Sequence, residues 1–447
     1  MKAPAANEMK GAGPIRRDRL FAVGTLALFT AAFSFVLRAG IASQIQADVI
    51  APFDPVNAGQ LIGAALGVAF LGFALSLFVT SPLLDFIGMG RMLVMAAIFF
   101  FIGPALVVFA DTLFDGRMAY RVIYLGMLIN GMGWGFTEAT INPMTAALYP
   151  EDKVHRMNVI HAWWPAGIIA GGLVAYALGS SAAGIDWRIL FALVMLPPIA
   201  IVALVRGQAF PKTESAAMGV PFSDTLMEVF RKPLFFVWLF AMILTSATEL
   251  APGQWVDVAL SEVVGMRGIL LLVYVAGIMF VMRHFAGPIA HRISDVGLLC
   301  VSCGAAAVGL YLLSVASSPL TAVLAATLWG AGVCFLWPTM LSAVAGRFPR
   351  GGAWTIGLIG SAGAGTIYWI LPKLGAIYDN AKIAAAGREG AFATLTDGPA
   401  RDAVLAEAAQ VSFQTVAWFP VILIAVFGVY WVLERRGRQS SKAVPAE

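Results

Sequence analysis

The chain has 447 residues, 60% of them hydrophobic and 12% charged, with a mean hydropathy of +0.84. Soluble domains carry about 25% charged residues, so this composition cannot build a water-facing surface. The formal charge of +4 is spread between apolar runs, which excludes a nucleic-acid partner, and three cysteines are too few for a disulfide framework. What remains is a polytopic membrane protein with the lipid bilayer as its surroundings.

A membrane span needs about 20 mostly apolar residues. Twelve such runs follow one another: 20–42, 59–80, 92–110, 120–148, 157–179, 187–206, 234–257, 269–286, 296–315, 320–342, 354–376 and 411–433. The first is as long as a full span and reads as an uncleaved helix. The longest interior link without a span, 207–233, divides them into a bundle at 20–206 and a second at 234–433. Short basic tails, 1–19 and 434–447, flank the two. The other long link, 377–410, reads as an outer loop, with a short surface helix at "ARDAVLAEAAQ". Of the 29 Lys and Arg, 20 fall on the side of the N-terminus. By the positive-inside rule both termini and the central loop are expected in the cytoplasm, with the chain in a bacterial inner membrane.

The halves echo each other. "SPLLDFIGMGR" (81–91) follows the second run and "GPIAHRIS" (287–294) the eighth, each with a small residue, then Pro, and a polar residue four after the small one, Asp85 and His291. "GMGWGF" opens the core of the fourth run and "GAGVCF" that of the tenth, with Pro143 and Pro338 following. Two parallel six-helix repeats are one of the symmetries of secondary transporters. Asp85, Gly88, Arg91, Arg283 and Arg292 are assigned to the turns on the terminal side, where they would hold the halves closed.

Ionisable residues inside the runs are costly and mark functional sites. In the fourth run Asn130, Trp134, Glu138 and Asn142 recur every four residues, forming one stripe. Gly131, Gly133 and Gly135 lie off it, free to pack against a neighbour. Glu138 is a proton carrier or a helix-locking ion pair. Asn158, His161 and Trp164 of the fifth run suit a polyol ligand equally with packing. Thr245 and Glu249 of the seventh precede Pro252-Gly253, expected to interrupt that helix and expose Gln254 and Trp255 to ligand. Arg38, late in the first run, pairs with Glu138 or Glu249, binds an anionic sugar through its planar fork, or snorkels to the outer interface. Cys300 and Cys303 are small packing residues. Trp337 and Pro338 serve bending and packing ahead of ligand contact. No clustered metal or nucleophile motif is present, so no metal, cofactor or enzymatic activity is expected.

The Asp85-Phe-Ile-Gly88-x-x-Arg91 turn, twelve spans and central loop resemble the major facilitator superfamily. "TEATINPMTAALYPEDKVHRMNV" further resembles its fucose permease and sugar–proton symporter branch, with Glu138, Asn142-Pro143, Tyr149-Pro150 and Arg156-Met157-Asn158 in the matching places. "TELAPGQW", "MRHFAG" and "LWPTMLS" add to the likeness. The resemblance implies an all-α fold of two six-helix bundles related by a pseudo-twofold axis. It also implies a monomeric carrier of a sugar-like solute and protons, with Glu138 taking part in proton coupling and Glu249 and His161 as further candidates. The branch usually carries an acid in its first helix; here Arg38 stands nearby instead. A drug or metabolite exporter of the same superfamily and a non-transporting membrane sensor are the alternative readings.

Overall fold

Apolar runs set the helices, and helix breakers set their ends. The computed structural model describes residues 14–54, 58–178, 185–266, 268–388, 391–396 and 398–442. Among them the regular structure is entirely helical. The first half holds α1 (Arg17–Gly40), α2 (Ala58–Thr80), α3 (Met89–Leu113) and α4 (Gly116–Leu148). It continues with α5, broken into Lys153–His161 and Trp163–Leu178, and α6, spanning Trp187–Val205. The second half holds α7 (Leu234–Val264), α8 (Gly268–Arg283 and Ala286–Ile293) and α9 (Asp295–Ser314). After these come α10 (Pro319–Val333 and Leu336–Arg347), α11 (Gly352–Ala386) and α12 (Pro399–Lys442). The start of α1, the last turns of α12 around Glu434 and the central link share one face of the molecule, called the terminal face below.

Ten of these helices are long and apolar enough to cross a membrane, and the bent α8 makes eleven. The twelfth, α4, falls short because its polar stripe dilutes its hydropathy. Glycine lets α4 lie close to its neighbours. A Cβ on Gly131 would sit 1.9 Å from the Ala69 carbonyl oxygen of α2, and one on Gly135 1.9 Å from Ser76 Oγ. In the second half Gly332 of α10 meets the Ala306 nitrogen of α9 at 2.3 Å in the same sense. The glycine face read from the sequence is therefore the packing face.

The turn after α2 shows the repeat in the backbone itself. Gly88 has φ 89° and ψ 138°; Ser294, at the matching place after α8, has φ 71° and ψ 165°. Each stands three residues after the polar landmark, Asp85 or His291. Ser294 is the single non-glycine residue with positive φ among the described residues, and its hydroxyl accepts from the Gly297 N–H to cap α9.

Three expectations change. The link 377–410 is mostly helix: α11 runs on to Ala386 and α12 begins at Pro399, so "ARDAVLAEAAQ" is the opening of α12, not a separate surface helix. Good helix formers fill that stretch and nothing breaks it. The central link is not bare loop either, for it carries helices Glu214–Ala217 and Phe222–Arg231. Finally, α7 continues through Pro252 without interruption. Proline removes one hydrogen bond, and the carbonyl it frees, that of Thr248, accepts the Trp329 indole N–H at 3.3 Å.

Candidate functional site

The site lies where three helices break. Pro165 stands four residues after His161, and Pro338 four after Cys334. Neither proline can donate to that carbonyl. Accordingly α5 breaks at Ala162 and α10 at Cys334 and Phe335. In α8, Pro288 stands four residues after His284, and the two segments meet at 63°. The breaks of α5 and α10 are buried, at Ala162, Cys334 and Phe335, where irregular backbone is tolerated within a membrane, whereas Phe285 at the α8 bend is 58% exposed.

Arg283 closes the first segment of α8 and is 1% exposed. Its Nη2 donates to Glu249 Oε1 at 3.0 Å, its Nε to the Cys334 carbonyl at 2.6 Å and its Nη1 to the His161 carbonyl at 2.6 Å. The other oxygen of Glu249 accepts from the Trp337 backbone N–H at 3.3 Å. This corrects the sequence reading of Arg283, which belongs to the buried centre and not to a turn on the terminal face. The run 269–286 holds Arg283 close to its end, but the chain bends after His284 and continues as helix to Ile293. Glu249, likewise, is a buried partner of Arg283 at 7% exposure, away from the outer interface.

On the facing half, Asn142 joins two ionisable groups. Its Nδ2 donates to Glu138 Oε2 at 2.5 Å and to the Glu138 carbonyl at 3.0 Å; its Oδ1 lies 2.8 Å from His161 Nε2, which therefore carries a proton. Glu138 and His161 are themselves 3.9 Å apart. Between these clusters is a cavity of about 30 Å³, lined by Glu138, His161, Trp164, Glu249, Arg283 and Trp337, with Phe73 and Leu250. A second cavity of about 40 Å³ shares Trp164, Glu249 and Leu250 with it. Both are too small for a sugar. The halves close over them on each side: a Cβ on Gly172 would lie 2.8 Å from Val273, and one on Gly287 2.8 Å from His155. The arrangement is occluded.

The sequence matches the Major Facilitator Superfamily over residues 17–368. The chain belongs to that superfamily. No curated relative matches it. Among solved structures it is similar to the proton:xylose symporter XylE bound to 6-bromo-6-deoxy-D-glucose, at 15% identity and a TM-score of 0.72, over 93% of this chain and 96% of that one. It is also similar to the E. coli fucose:proton symporter FucP, at 18% identity and a TM-score of 0.60, over 90% and 98% of the two chains. A third is the human organic anion transporter MFSD10, at 14% identity and a TM-score of 0.67, over 93% and 100%. The major facilitator fold, with twelve helices in two bundles, is thus shown, and the halves that meet at Arg283 are its two bundles.

Other residues singled out from the sequence fall in several places. Asn130 and Trp134 turn into the first bundle, where Trp134 Nε1 donates to Ser34 Oγ at 2.8 Å and Asn130 approaches the same hydroxyl at 3.5 Å. They do not line the cavity. Asn158 reaches across the bundles to Thr339 Oγ1 at 3.2 Å. Thr245 is fully buried with its hydroxyl unpartnered. The side chains of Gln254 and Trp255 lie outside the described residues. Arg38 pairs with neither Glu138 nor Glu249, and it does not snorkel. At 1% exposure it donates to the Leu66 carbonyl at 2.7 Å and lies over the rings of Trp134, Phe70 and Phe35 at 4.8, 5.7 and 5.8 Å.

At the terminal face Asp85 accepts from the Thr213 hydroxyl at 2.5 Å, fixing the central link to the first bundle, while Lys153 pairs with Glu214 at 2.6 Å. Arg91 and Arg292 are exposed. Arg292 borders a polar crevice of about 570 Å³ between the bundles, together with Asp152, Lys153 and His291. Trp337 is the cavity residue that the sequence reading treated as packing. Its signal was present in "LWPTMLS": the residue before a proline at a helix break has its N–H near the start of a new segment, free to meet an anion.

Proposed function

We propose that this major facilitator transporter carries a sugar or sugar derivative together with protons, by alternating access. The carrying observation is the pairing of charges around the central cavity. Glu249 is matched by Arg283, whereas Glu138 has no cation in hydrogen-bond contact and meets only an amide. A buried carboxyl without a cation is most stable protonated, so Glu138 is the proton carrier in this reading and His161, linked to it through Asn142, assists the transfer. Glu249 is the structural carboxylate. Cytoplasmic termini and a monomeric carrier in a bacterial inner membrane belong to the same proposal.

The cavity chemistry favours a hydroxylated solute. The Arg283 donor and the His161 carbonyl acceptor face each other at 2.6 Å, and a hydroxyl inserted between them would keep both satisfied, accepting from one and donating to the other. Trp164 offers an apolar wall of the kind a sugar ring stacks on. The similarity to XylE and FucP, both described as proton symporters, adds support.

The test is Glu138→Gln. Accumulation of solute driven by a pH gradient is abolished, while counterflow of labelled solute survives, because the amide fills the space but carries no exchangeable proton. Normal accumulation in this variant removes Glu138 from the proton path.

A second reading, export of an organic anion, draws on Arg38, a fully buried cation met by a carbonyl and three rings in place of a carboxylate. The direction of solute-dependent pH change in everted vesicles separates the two.

A further inference from the structure

Within a membrane a backbone carbonyl that loses its helical donor has no water to turn to. Pro165 and Pro338 create two such carbonyls, His161 on α5 and Cys334 on α10, and one guanidinium answers both at 2.6 Å. Its anchoring is lopsided. Arg283, Glu249 and Cys334 all belong to the second bundle, so two of the three contacts move with it. The third, to His161, crosses to the first bundle. A planar fork with fixed donor directions suits three separate acceptors in a way that a single ammonium does not.

We propose that Arg283 is the pin of the occluded state: it holds the bundles together at mid-membrane by donating to the carbonyl that Pro165 leaves free. Glu249 and the Cys334 carbonyl orient the pin, and of the three bonds that Arg283 makes, separation of the bundles breaks the one to His161. Arg283 here is a positioning residue for alternating access. The idea rests on the transporter reading, but it concerns the equilibrium between closed and separated bundles and needs no solute to be tested.

The experiment uses the full chain in lipid nanodiscs, with Cys300, Cys303 and Cys334 replaced by alanine. Spin labels are placed at Leu173→Cys and Leu270→Cys, two exposed positions flanking the Gly172–Val273 contact. Distance distributions then give the separated population. Pro165→Ala supplies an N–H four residues after His161, which takes the carbonyl back into α5. The separated population is expected to rise at least about tenfold, the lower end of what a lost hydrogen bond to a charged group is worth. In the background Arg283→Gln with Glu249→Gln, which removes both members of the buried ion pair together, adding Pro165→Ala should change the population less than twofold. Equal shifts in both backgrounds would assign the effect to straightening of α5 and overturn the pin, as would no shift in either. Normal accumulation in Glu138→Gln would undo the proton reading and leave this cycle untouched.

Discussion

Among the described residues two arginines are buried in the membrane region, Arg38 and Arg283, and their surroundings predict different costs. Arg283 answers a carboxylate and two orphaned carbonyls. Arg283→Met would leave Glu249 without its cation and two carbonyls without their donor, and breaking such a pair costs about 3–5 kcal/mol. Among the described residues Arg38 gives one hydrogen bond, to Leu66, whose carbonyl keeps the Phe70 N–H as its helical partner in α2. Arg38→Met should therefore change stability by no more than about 1 kcal/mol, since the cation–π contacts it loses are worth about that much and the burial of an unpaired charge is relieved. Thermal unfolding of the two variants in detergent checks this, the Arg283 variant melting well below the Arg38 one. The sequence made the Glu138, Asn142 and His161 group legible because four-residue spacing on a helix fixes which side chains share a face. It hid Arg283, because burial there depends on a bend after His284 that apolar counting cannot see. The same counting drew attention to Arg38, whose expected carboxylate partners both face elsewhere.

Helices and turns carry the repeat more faithfully than residue identities do. Gly88 and Ser294 occupy the same left-handed turn, a region costly for any residue with a Cβ. Gly88→Ala should lower stability by about 1–2 kcal/mol. Ser294→Gly should leave it unchanged or raise it by up to about 1 kcal/mol, since relief of strain exceeds the few tenths lost when glycine replaces serine as a cap. Paired melting curves of the two variants decide the matter, and a loss in Ser294→Gly would show that its hydroxyl matters more than its backbone. The sequence alone aligned these turns through Asp85 and His291. It missed the continuity of α7 across Pro252, because the rescue of the Thr248 carbonyl comes from Trp329, a residue 81 positions away.

At the scale of the molecule, the seam between α2 and α11 is shut at the terminal face. Phe78 meets Trp354 edge-on at 5.4 Å, and a Cβ on Gly357 would lie 1.8 Å from Ser81 Oγ. Gly357→Val should wedge this seam and expose the terminal side of the cavity. A cysteine at Thr339, fully buried now, would then react with a water-soluble maleimide at least several-fold faster than in the unwedged protein. An unchanged rate would place the controlling contact elsewhere, at the His155–Gly287 approach between α5 and α8. The strained turn at Ser294 has a further meaning for the whole chain. A conformation that favours glycine, kept where serine now stands, is a vestige: if both halves descend from one duplicated unit, the bend was inherited and the residue changed later. The ancestry of the two bundles is then recorded in dihedral angles after the letters that encoded it have drifted apart.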